Sequence, residues 1–321
     1  MKRALVCPLN WGLGHATRCV PIINQLLADG YQVTIAADGY PLVFLQQQFP
    51  TLQTIELPSY PIRYANAKTQ VWAMLIQLPA IIQAIYNEHQ WLKKKLSTEH
   101  FDLVVSDNRF GLWTTKTECH YITHQLMIKM PRGLKLFEPI AWWIHRQFIN
   151  RYSTCLIPDF ATNTHKLSGD LAHRYPMPKN ARFIGPLSRF KNINTVDLLS
   201  TYDVVCLVSG VEPQRSLFEN TLIDRFANSM ERVLIVRGKP SNTIQHSHQG
   251  TIQLVNHLQN EELAAYLIAS KKIITRSGYS SIMDLYTLNC LSKCEFIPTP
   301  GQTEQEYLYH LYSESNKNRF I

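Results

Sequence analysis

Short runs rich in Val, Ile and Leu alternate with segments of helical periodicity along nearly the whole chain. This alternation is typical of strand–helix units that build a parallel sheet covered by helices. In the first half we predict strands at 3–8, 32–37, 102–106, 121–124, 153–158 and 182–185. We predict helices near 17–28, 69–96 and 136–152. The first half therefore has the pattern of an α/β domain.

The same alternation begins again after a segment that glycine and proline interrupt, 185–189. The second set of strands is predicted at 204–209, 232–237, 252–255, 273–276 and 295–298. We therefore expect two sheets in series, with the boundary at about residue 188 and domains at 1–188 and 189–321. A chain of 321 residues is long enough for two such domains.

Composition argues against several classes of protein. The longest apolar stretch, 71–86, is interrupted by Gln77, Pro79 and Gln83 and is too short for a membrane span. The seven cysteines form no CxxC pair, which argues against a disulfide framework and favours a reducing cytoplasm. The net charge of +8 fits an anionic substrate, an anionic membrane surface or nucleic acid, and charge alone does not choose among them.

The first loop that could carry chemistry follows the first predicted strand. In open α/β sheets, ligands bind outside the carboxyl ends of strands. Gly12 and Gly14 permit a tight turn here, and the helix that follows offers free N–H groups to an anion. His15 has a pKa range suited to proton transfer. The alternative is that His15 only caps the helix, although caps prefer Ser, Thr, Asp or Asn.

This loop is also partly similar to a dinucleotide-binding fingerprint. Asp38, at the end of the second strand, lies where an acid that binds a ribose would be expected. Thr17, however, stands where the third glycine belongs. The match is therefore a weak signal.

Two further loops follow strands of the second half. Ser209 and Gly210 precede a helix predicted at 216–226, and they either cradle a phosphate or form an ordinary tight turn. Asp284 lies two turns into a later helix, on the face shared by Ser277 and Ser280. An acid in this place could accept both hydroxyls of a ribose.

The last of these loops places three polar side chains at the start of a helix predicted at 304–312: Gln302, Glu304 and Gln305. Amides and carboxylates are directional partners for sugar hydroxyls. The alternative for an isolated polar helix start is a solvated cap. In combination with the other loops, a sugar site is the better interpretation.

Taken together, these loops resemble the GT-B superfamily of nucleotide-sugar glycosyltransferases. The most similar families are the bacterial peptidoglycan-precursor N-acetylglucosaminyltransferases and the glucuronosyltransferase-like enzymes. The resemblance spans most of the chain and is strongest in the second half. It implies two Rossmann-like doubly wound domains facing a central cleft, with the acceptor bound by 1–188 and the nucleotide sugar by 189–321.

The resemblance also implies roles for individual residues. Asp284 matches the acid that holds the donor ribose, Glu304 and Gln305 match a pair at the donor sugar, and the backbone of Leu258 falls where uracil is bound. The implied donor-binding residues are Arg189, Ser209, Gly210, Leu258, Ser277, Gly278, Asp284, Gln302, Glu304 and Gln305. The implied acceptor-side residues, beside His15, are Gly14, Asn108, His124 and Gln125.

The implied reaction is inverting glycosyl transfer from a UDP-sugar, with His15 as the base that takes the acceptor hydroxyl proton. Ser209, Gly210 and Arg189 would stabilise the departing diphosphate, so we expect no metal and no cofactor beyond the UDP-sugar itself. His246 and His248 are predicted to lie in a loop without a third ligand, and we expect no metal site there.

Two alternatives from other classes stay open. A nucleotide-sugar epimerase shares the two-domain fold but needs a cluster of carboxylates around the sugar. A non-catalytic nucleotide-sugar-binding subunit is favoured if the short end after the last predicted helix prevents domain closure. No nucleic-acid partner is expected.

The segment 127–152 interleaves basic residues with Trp and Phe. Such a helix is typical of binding to an anionic membrane surface, which would place a lipid-linked acceptor at the cytoplasmic face. The alternative is a core-facing helix with solvated charges. Because neighbouring residues on a helix lie about 100 degrees apart, one narrow stripe cannot bury both Trp142 and Trp143, and we expect one of them at the surface.

Overall fold

Two parallel sheets follow one another along the chain. The computed structural model describes residues 1–60, 70–162, 166–198 and 201–313, and at 70–76 and 132 it describes the backbone alone. The central strands are built from buried Val, Ile, Leu, Ala and Cys side chains. Such strands need cover on both faces, and helices provide it.

The first sheet consists of β1 (Arg3–Pro8), β2 (Gln32–Ala37), β3 (Gln53–Glu56), β4 (Leu103–Asp107), β5 (Glu118–Ile122), β6 (Thr154–Ile157) and β7 (Ala181–Phe183). All seven strands are parallel, in the order β3-β2-β1-β4-β5-β6-β7. The helices of this half are α1 (Gly14–Ala28), α2 (Gly39–Gln48), α3 (Gln70–Thr98), α4 (Glu138–Ile149) and α5 (Asp170–His173), and a 3₁₀ turn, Arg132–Phe137, precedes α4.

The second sheet consists of β8 (Val204–Leu207), β9 (Val233–Val236), β10 (His246–Gln249), β11 (Ile252–Val255), β12 (Lys272–Arg276) and β13 (Cys294–Ile297). Its order is β10-β11-β9-β8-β12-β13, and β10 is antiparallel to β11 while the other pairs are parallel. Its helices are α6 (Gln214–Phe226), α7 (Asn260–Ala269), α8 (Tyr279–Thr287) and α9 (Thr303–Leu311), with a 3₁₀ turn at Leu291–Lys293.

Each sheet reverses its strand order at one point, and this determines where a ligand can bind. In the first sheet the reversal lies between β1 and β4, and in the second it lies between β8 and β12. A crevice opens at such a switch point, outside the carboxyl ends of the strands. The two-sheet topology confirms the predicted α/β fold class of two Rossmann-like domains.

The two halves are joined by one continuous apolar cluster. It includes Val6 and Ile35 of the first sheet and Ile273 and Leu285 of the second half. β7 ends at Phe183 and β8 begins at Val204, so the predicted boundary at residue 188 lies in the connection between the sheets. The exact division into domains stays a prediction.

Several predicted elements need correction. The strand predicted at 121–124 is β5, Glu118–Ile122, and it begins three residues earlier than predicted. Its first residues include the polar Glu118 and His120, which pair with β4 through the backbone. The sequence analysis also missed α2 and β3. The start of α3 predicted at residue 69 lies outside the described residues.

The prediction that His246 and His248 lie in a loop is wrong, because both belong to the edge strand β10. All residues of β10 are exposed, so no apolar alternation marks this strand in the sequence. Backbone pairing with β11 holds it instead.

In the described part of the chain, no helix has both the length and the apolar character that a membrane crossing requires. The two tryptophans of α4 differ in solvent exposure, as expected. Trp143 is 56% exposed, whereas Trp142 is half-buried and stacks on Tyr175 with ring centroids 5.3 Å apart.

Candidate functional site

His15 lies at the switch point of the first sheet. It is the second residue of α1, directly after the turn that Gly12 forms with a φ of 81°. Its Nδ1 atom lies 2.9 Å from Oδ1 of Asp107, the last residue of β4. The helix N-cap is Leu13, without a side-chain hydrogen bond, so His15 does not cap the helix. Its ring instead forms a pair with a buried carboxylate.

Arg18, one turn along α1, completes a buried charged group with these two residues. Its Nε donates to Asp107 Oδ2 at 2.5 Å, and its Nη2 donates a second, shorter hydrogen bond to Oδ1. Nη2 also lies 2.9 Å from Nδ1 of His15. Arg18 is only 2% exposed and Asp107 is fully buried. Two opposite charges are therefore held out of water beside the histidine.

The surroundings determine the charge states of this group. Burial lowers the pKa of His15, and the nearby Arg18 charge lowers it further, while Asp107 acts in the opposite direction. Burial alone would raise the pKa of Asp107, but the charges of Arg18 and His15 outweigh it and lower this pKa to about 2. Asp107 is therefore ionised near neutral pH, and the lowered pKa of His15 favours the unprotonated ring, the form that can accept a proton.

His124 connects this group to the second half of the chain. Its Nδ1 lies 3.1 Å from Arg18 Nη1, and its Nε2 lies 2.8 Å from Oε1 of Glu304 on α9. Its ring also stacks on Tyr279 of α8, with centroids 4.2 Å apart. Burial would raise the pKa of Glu304, but the contact with His124, together with the nearby Arg18 and His15, outweighs burial and lowers this pKa. The fold thus brings the predicted residues His15, His124 and Glu304 together.

The other predicted acceptor-side residues occupy the same edge. The carbonyl oxygen of Gly14 accepts a hydrogen bond from Ser280 Oγ at 2.9 Å, and a Cβ at Gly14 would lie 2.9 Å from that oxygen. Asn108 has a φ of 57° and accepts a hydrogen bond from the hydroxyl of Tyr121 at 2.9 Å. The backbone N–H of Gln125 donates to Thr123 Oγ1 at 3.2 Å. Asn108 and Gln125 therefore do not touch the charged group directly in the contacts described.

The loop with Ser209 and Gly210 follows β8, at the second switch point, and faces the first glycine turn. A Cβ at Gly12 would lie 3.3 Å from the Cα of Gly210, so these two backbones are in close contact. Glu212 accepts a hydrogen bond from the backbone N–H of Ser216 at 3.1 Å. A carboxylate therefore already occupies one of the amides at the start of α6.

Asp284 is bonded to protein groups rather than left free for a ribose. It accepts hydrogen bonds from Ser188 Oγ at 2.6 Å and from Arg189 Nε at 3.3 Å. Burial raises the pKa of Asp284, and the nearby Arg189 opposes this. Ser277, one of the residues predicted to share its face, donates instead to the carbonyl of Gln305 at 2.8 Å. Each carboxylate oxygen of Asp284 therefore already has one protein partner.

The remaining predicted donor residues follow the ends of β11, β12 and β13. Gln305 Oε1 accepts the backbone N–H of Thr299 at 2.9 Å. Gly278 is the N-cap of α8, and Gln302 is the N-cap of α9. Leu258, which follows β11, is buried in the apolar cluster. These residues come after the carboxyl ends of their strands, and their role in binding a donor stays a prediction.

Among the described residues, no group of three or more His, Cys, Asp or Glu side chains is arranged to hold a metal ion. His246 and His248, on β10, are exposed. Asp38, singled out as a ribose-binding acid in the dinucleotide interpretation, accepts the backbone N–H and the hydroxyl of Ser59 at 3.0 and 2.8 Å. It thereby holds the segment after β3.

The sequence analysis missed Asp107 and Arg18. Asp107 ends the strand that neighbours β1, and an acid at that position of a switch point was the available signal. Arg18 gave no such signal, because a basic residue in the first turns of an amphipathic helix is ordinarily solvated.

Comparisons with known proteins add to this geometry. No protein-family model matches the sequence. An uncharacterized glycosyltransferase of Methanosarcina acetivorans is 23% identical over 332 residues, which cover 97% of this chain and 83% of the relative.

Solved structures match over nearly the whole chain. The glycosyltransferase of kitacinnamycin has a TM-score of 0.56 and 13% identity, over 99% of this chain and 92% of its own. UGT89C1 of Arabidopsis thaliana, solved with UDP-L-rhamnose, has the same TM-score and identity, over 99% and 91%. A UDP-N-acetylglucosamine 2-epimerase structure from Listeria monocytogenes has a TM-score of 0.56 and 11% identity, over 99% and 89%. The chain therefore has the GT-B fold and resembles a glycosyltransferase in sequence over almost its whole length, as its motifs predicted.

Proposed function

We propose that this protein is an inverting glycosyltransferase that moves a hexose-type sugar from a UDP-sugar to a hydroxyl acceptor. The observation that carries the proposal is the pair formed by His15 and the buried, ionised Asp107 at the switch point of the first sheet. A histidine oriented by a carboxylate is a suitable general base for a hydroxyl group.

On the acceptor side, His15 would act as the general base. A proton on Nδ1 of His15, held by Asp107, leaves Nε2 free to take the proton of the acceptor hydroxyl. The acceptor oxygen then forms its bond to the anomeric carbon, on the face opposite the diphosphate. The bond between the anomeric carbon and the diphosphate oxygen breaks, and its electron pair leaves with UDP. Inversion at the anomeric carbon follows from this single displacement.

The donor side would hold the leaving group. The Gly210 backbone, Ser209, the start of α6 and Arg189 are the groups available to stabilise the charge on UDP. Asp284 would bind the ribose after releasing Ser188, and Glu304 and Gln305 would contact the sugar. UDP-L-rhamnose in the related Arabidopsis thaliana structure supports a UDP-sugar as the donor. No metal is part of this mechanism.

An exposed apolar face on the first domain supports a lipid-linked acceptor. Along the 3₁₀ turn and α4, large apolar side chains are exposed to solvent: Leu136, Phe137, Ile140, Trp143 and Ile144. Lys135, within the 3₁₀ turn, and Arg151, just after α4, are exposed as well. An apolar face with basic neighbours suits insertion into the surface of an anionic membrane. We therefore propose peripheral contact with the cytoplasmic face of a membrane.

Incubation of the protein with UDP-sugars labelled in the sugar tests the reaction. Transfer of label to an extracted lipid or to a soluble hydroxyl acceptor, with release of UDP, is the expected result. Conversion of the sugar into an isomer without transfer would instead support an epimerase, the activity named for the Listeria monocytogenes structure. Binding of UDP-sugars without either reaction would support a binding subunit.

Co-sedimentation with vesicles tests the membrane contact separately. We expect the protein to sediment with anionic vesicles at low salt and less so at high salt or with neutral vesicles. Trp143→Gln should reduce sedimentation, whereas Met230→Gln, a matched change of an exposed apolar side chain in the second domain, should not. A protein that stays in the supernatant with anionic vesicles at low salt would point to a soluble acceptor.

A further inference from the structure

Arg18 makes more contacts in the candidate site than a solvated helix residue would, and the reaction proposed above does not use it. All three of its guanidinium nitrogens are engaged: Nε and Nη2 with Asp107, and Nη1 with His124. Burial of a guanidinium is costly unless its charge is paired and its N–H groups are bonded. We therefore expect Arg18 to have a function in the site that offsets the cost of its burial.

Asp107 and Arg18 compete for the same atom of His15. Both lie 2.9 Å from Nδ1, which has a single hydrogen-bonding position in the plane of the ring. A carboxylate alone beside a histidine favours the protonated imidazolium. Here the guanidinium neutralises that carboxylate, so His15 faces a charge pair instead of a single anion.

The other charged and titratable groups around His15 come from three further elements. Asp107 ends β4, His124 follows β5, and Glu304 belongs to α9 of the second domain. The electrostatic effects of Asp107, Arg18 and His124 all reach His15, and His15 in turn affects Glu304. Arg18 is the only guanidinium described within this group. The balance of charge at His15 therefore depends on where Arg18 is held.

His124 is the partner that holds the third nitrogen of Arg18, Nη1. Because Arg18 Nη1 is a donor, Nδ1 of His124 must accept, which leaves the proton on Nε2 to be donated to Glu304. Both ring nitrogens of His124 are thus used, and it is not available as the base. The chain of contacts runs from the second domain through His124 to Arg18 and ends at His15.

We propose that Arg18 is a positioning residue that keeps His15 unprotonated near neutral pH, and that Glu304 of the second domain, acting through His124, holds Arg18 in place. This rests on the proposed function, because an unprotonated His15 is what a general base requires. It also links the base to the position of the second domain, since separation of the domains breaks the contact between His124 and Glu304.

Direct titration of His15 tests the role of Arg18 without any assay of turnover. The full chain is labelled in its histidines with ¹³C and ¹⁵N, and the signal of His15 is identified from a His15→Gln variant. We expect the pKa of His15 to lie below the ordinary value of about 6.5 in the wild-type protein. We expect Arg18→Gln to raise it by about one unit or more, and Arg18→Lys to leave it near the wild-type value.

Two results would overturn this role of Arg18. One is a wild-type His15 that titrates at or above about 6.5. The other is an unchanged pKa of His15 in folded Arg18→Gln protein, which would reduce Arg18 to a structural residue. If Arg18→Gln does not fold, the wild-type titration and the variants at Glu304 decide the question.

The part played by Glu304 is tested by two variants that share the same charge. Glu304→Gln keeps an acceptor for His124, whereas Glu304→Ala removes it. If the contact holds Arg18 in place, the pKa of His15 is higher in Glu304→Ala than in Glu304→Gln. Equal pKa values in the two variants would show that Glu304 does not hold Arg18.

The same spectra separate this inference from the proposed function. The ¹⁵N shifts show whether the proton of neutral His15 lies on Nδ1 or on Nε2. A proton on Nε2, or failure to transfer any sugar, would contradict His15 as the base and leave the comparison of pKa values intact. Unchanged pKa values in the Arg18 and Glu304 variants, together with active transfer, would contradict only the role of Arg18.

Discussion

The two sides of the cleft differ in how ready their polar groups are for a ligand. On the first domain, His15, Asp107 and Arg18 are already in contact with one another, and Asp107 and Arg18 are buried. On the second domain, Asp284 is bonded to Ser188, and Gln305 is bonded to the backbone of Thr299. Under the proposed function, the acceptor side is therefore arranged in advance, whereas the donor side would exchange internal hydrogen bonds for bonds to a ligand.

This difference has a physical cause. The first-domain group holds two opposite charges out of water, and it is stable only when the charges are paired and bonded. In the proposed function the donor-side groups would bind a polar ligand for part of the time, so their hydrogen-bonding atoms need other partners when the ligand is absent. Changes on the first side should therefore affect turnover and stability, and changes on the second side should affect ligand affinity.

Asp107→Asn should have the largest effect. It leaves the buried guanidinium of Arg18 without its counter-charge, which should lower the free energy of unfolding by roughly 3–5 kcal/mol. Turnover should fall as well, because His15 loses its orienting carboxylate. Chemical denaturation measures the first effect and single-turnover kinetics the second. Unchanged stability would show that the charged group is not as tightly paired as the structure indicates.

The same carboxylate predicts a dependence of stability on acid. The pKa of Asp107 is about 2 in the folded protein, below the value of about 3.9 for a free aspartate. Its stabilising contribution is thus complete above about pH 4 and is lost as the pH falls toward 2. Asp107→Asn should lose less stability than the wild type over this interval. An identical acid dependence in both proteins would contradict the low pKa.

His15→Ala should lower turnover by roughly two to four orders of magnitude. It removes the base without touching the donor side, so the affinity for UDP should change little. Steady-state kinetics and calorimetry with UDP measure the two quantities. The turnover of His124→Ala is the informative comparison. Both ring nitrogens of His124 are already hydrogen-bonded, to Arg18 and Glu304, so His124 is not available as the base. A variant lacking His15 that keeps most of its turnover would exclude it as the base.

Asp284→Ala should weaken binding of UDP by about 1–3 kcal/mol, since it leaves the ribose hydroxyls and Nε of Arg189 without the carboxylate as a partner. Ser188→Ala is the matched control, because it removes an internal partner of Asp284 and keeps the carboxylate itself. We expect Ser188→Ala to bind UDP at least as tightly as the wild type in calorimetry. Unchanged affinity in Asp284→Ala would remove this residue from the donor site.

Gln305→Ala should alter the preference among UDP-sugars and leave the affinity for UDP itself nearly unchanged. Its amide is expected to contact the sugar, which UDP lacks. Competition between UDP and several UDP-sugars in calorimetry measures this difference. Equal losses for UDP and for every UDP-sugar would show that Gln305 does not contact the sugar.

The smallest effect should have the opposite sign. Glu212 places a carboxylate at the start of α6, where the diphosphate is expected, so Glu212→Gln should tighten binding of UDP by a few-fold. Because Glu212 is half-exposed, salt should screen this gain. Calorimetry at two ionic strengths measures it. Weaker binding in Glu212→Gln would place the diphosphate away from this helix start.

The sequence predicted much of the framework because buried parallel strands have a strong apolar pattern. β1, β2 and β11 were predicted with their observed ends. The pattern failed where strands are short or exposed, as at β3 and β10, since backbone pairing rather than burial determines them. The helix α2 was missed for a different reason, because its apolar residues form almost no stripe along one side.

For the candidate site, the sequence determined which loops end strands and which polar residues they carry, because local pattern and glycine spacing are visible in the chain itself. Only the tertiary structure decided which of those residues meet. Asp107 and Arg18 are separated by 89 positions, and His124 and Glu304 by 180. Their contacts arise from the order of the strands in the first sheet and from the way the second domain packs against it. Local sequence carries no information on the strand order or on the packing of the domains. Charged side chains form ion pairs with whichever groups the folded chain brings close to them.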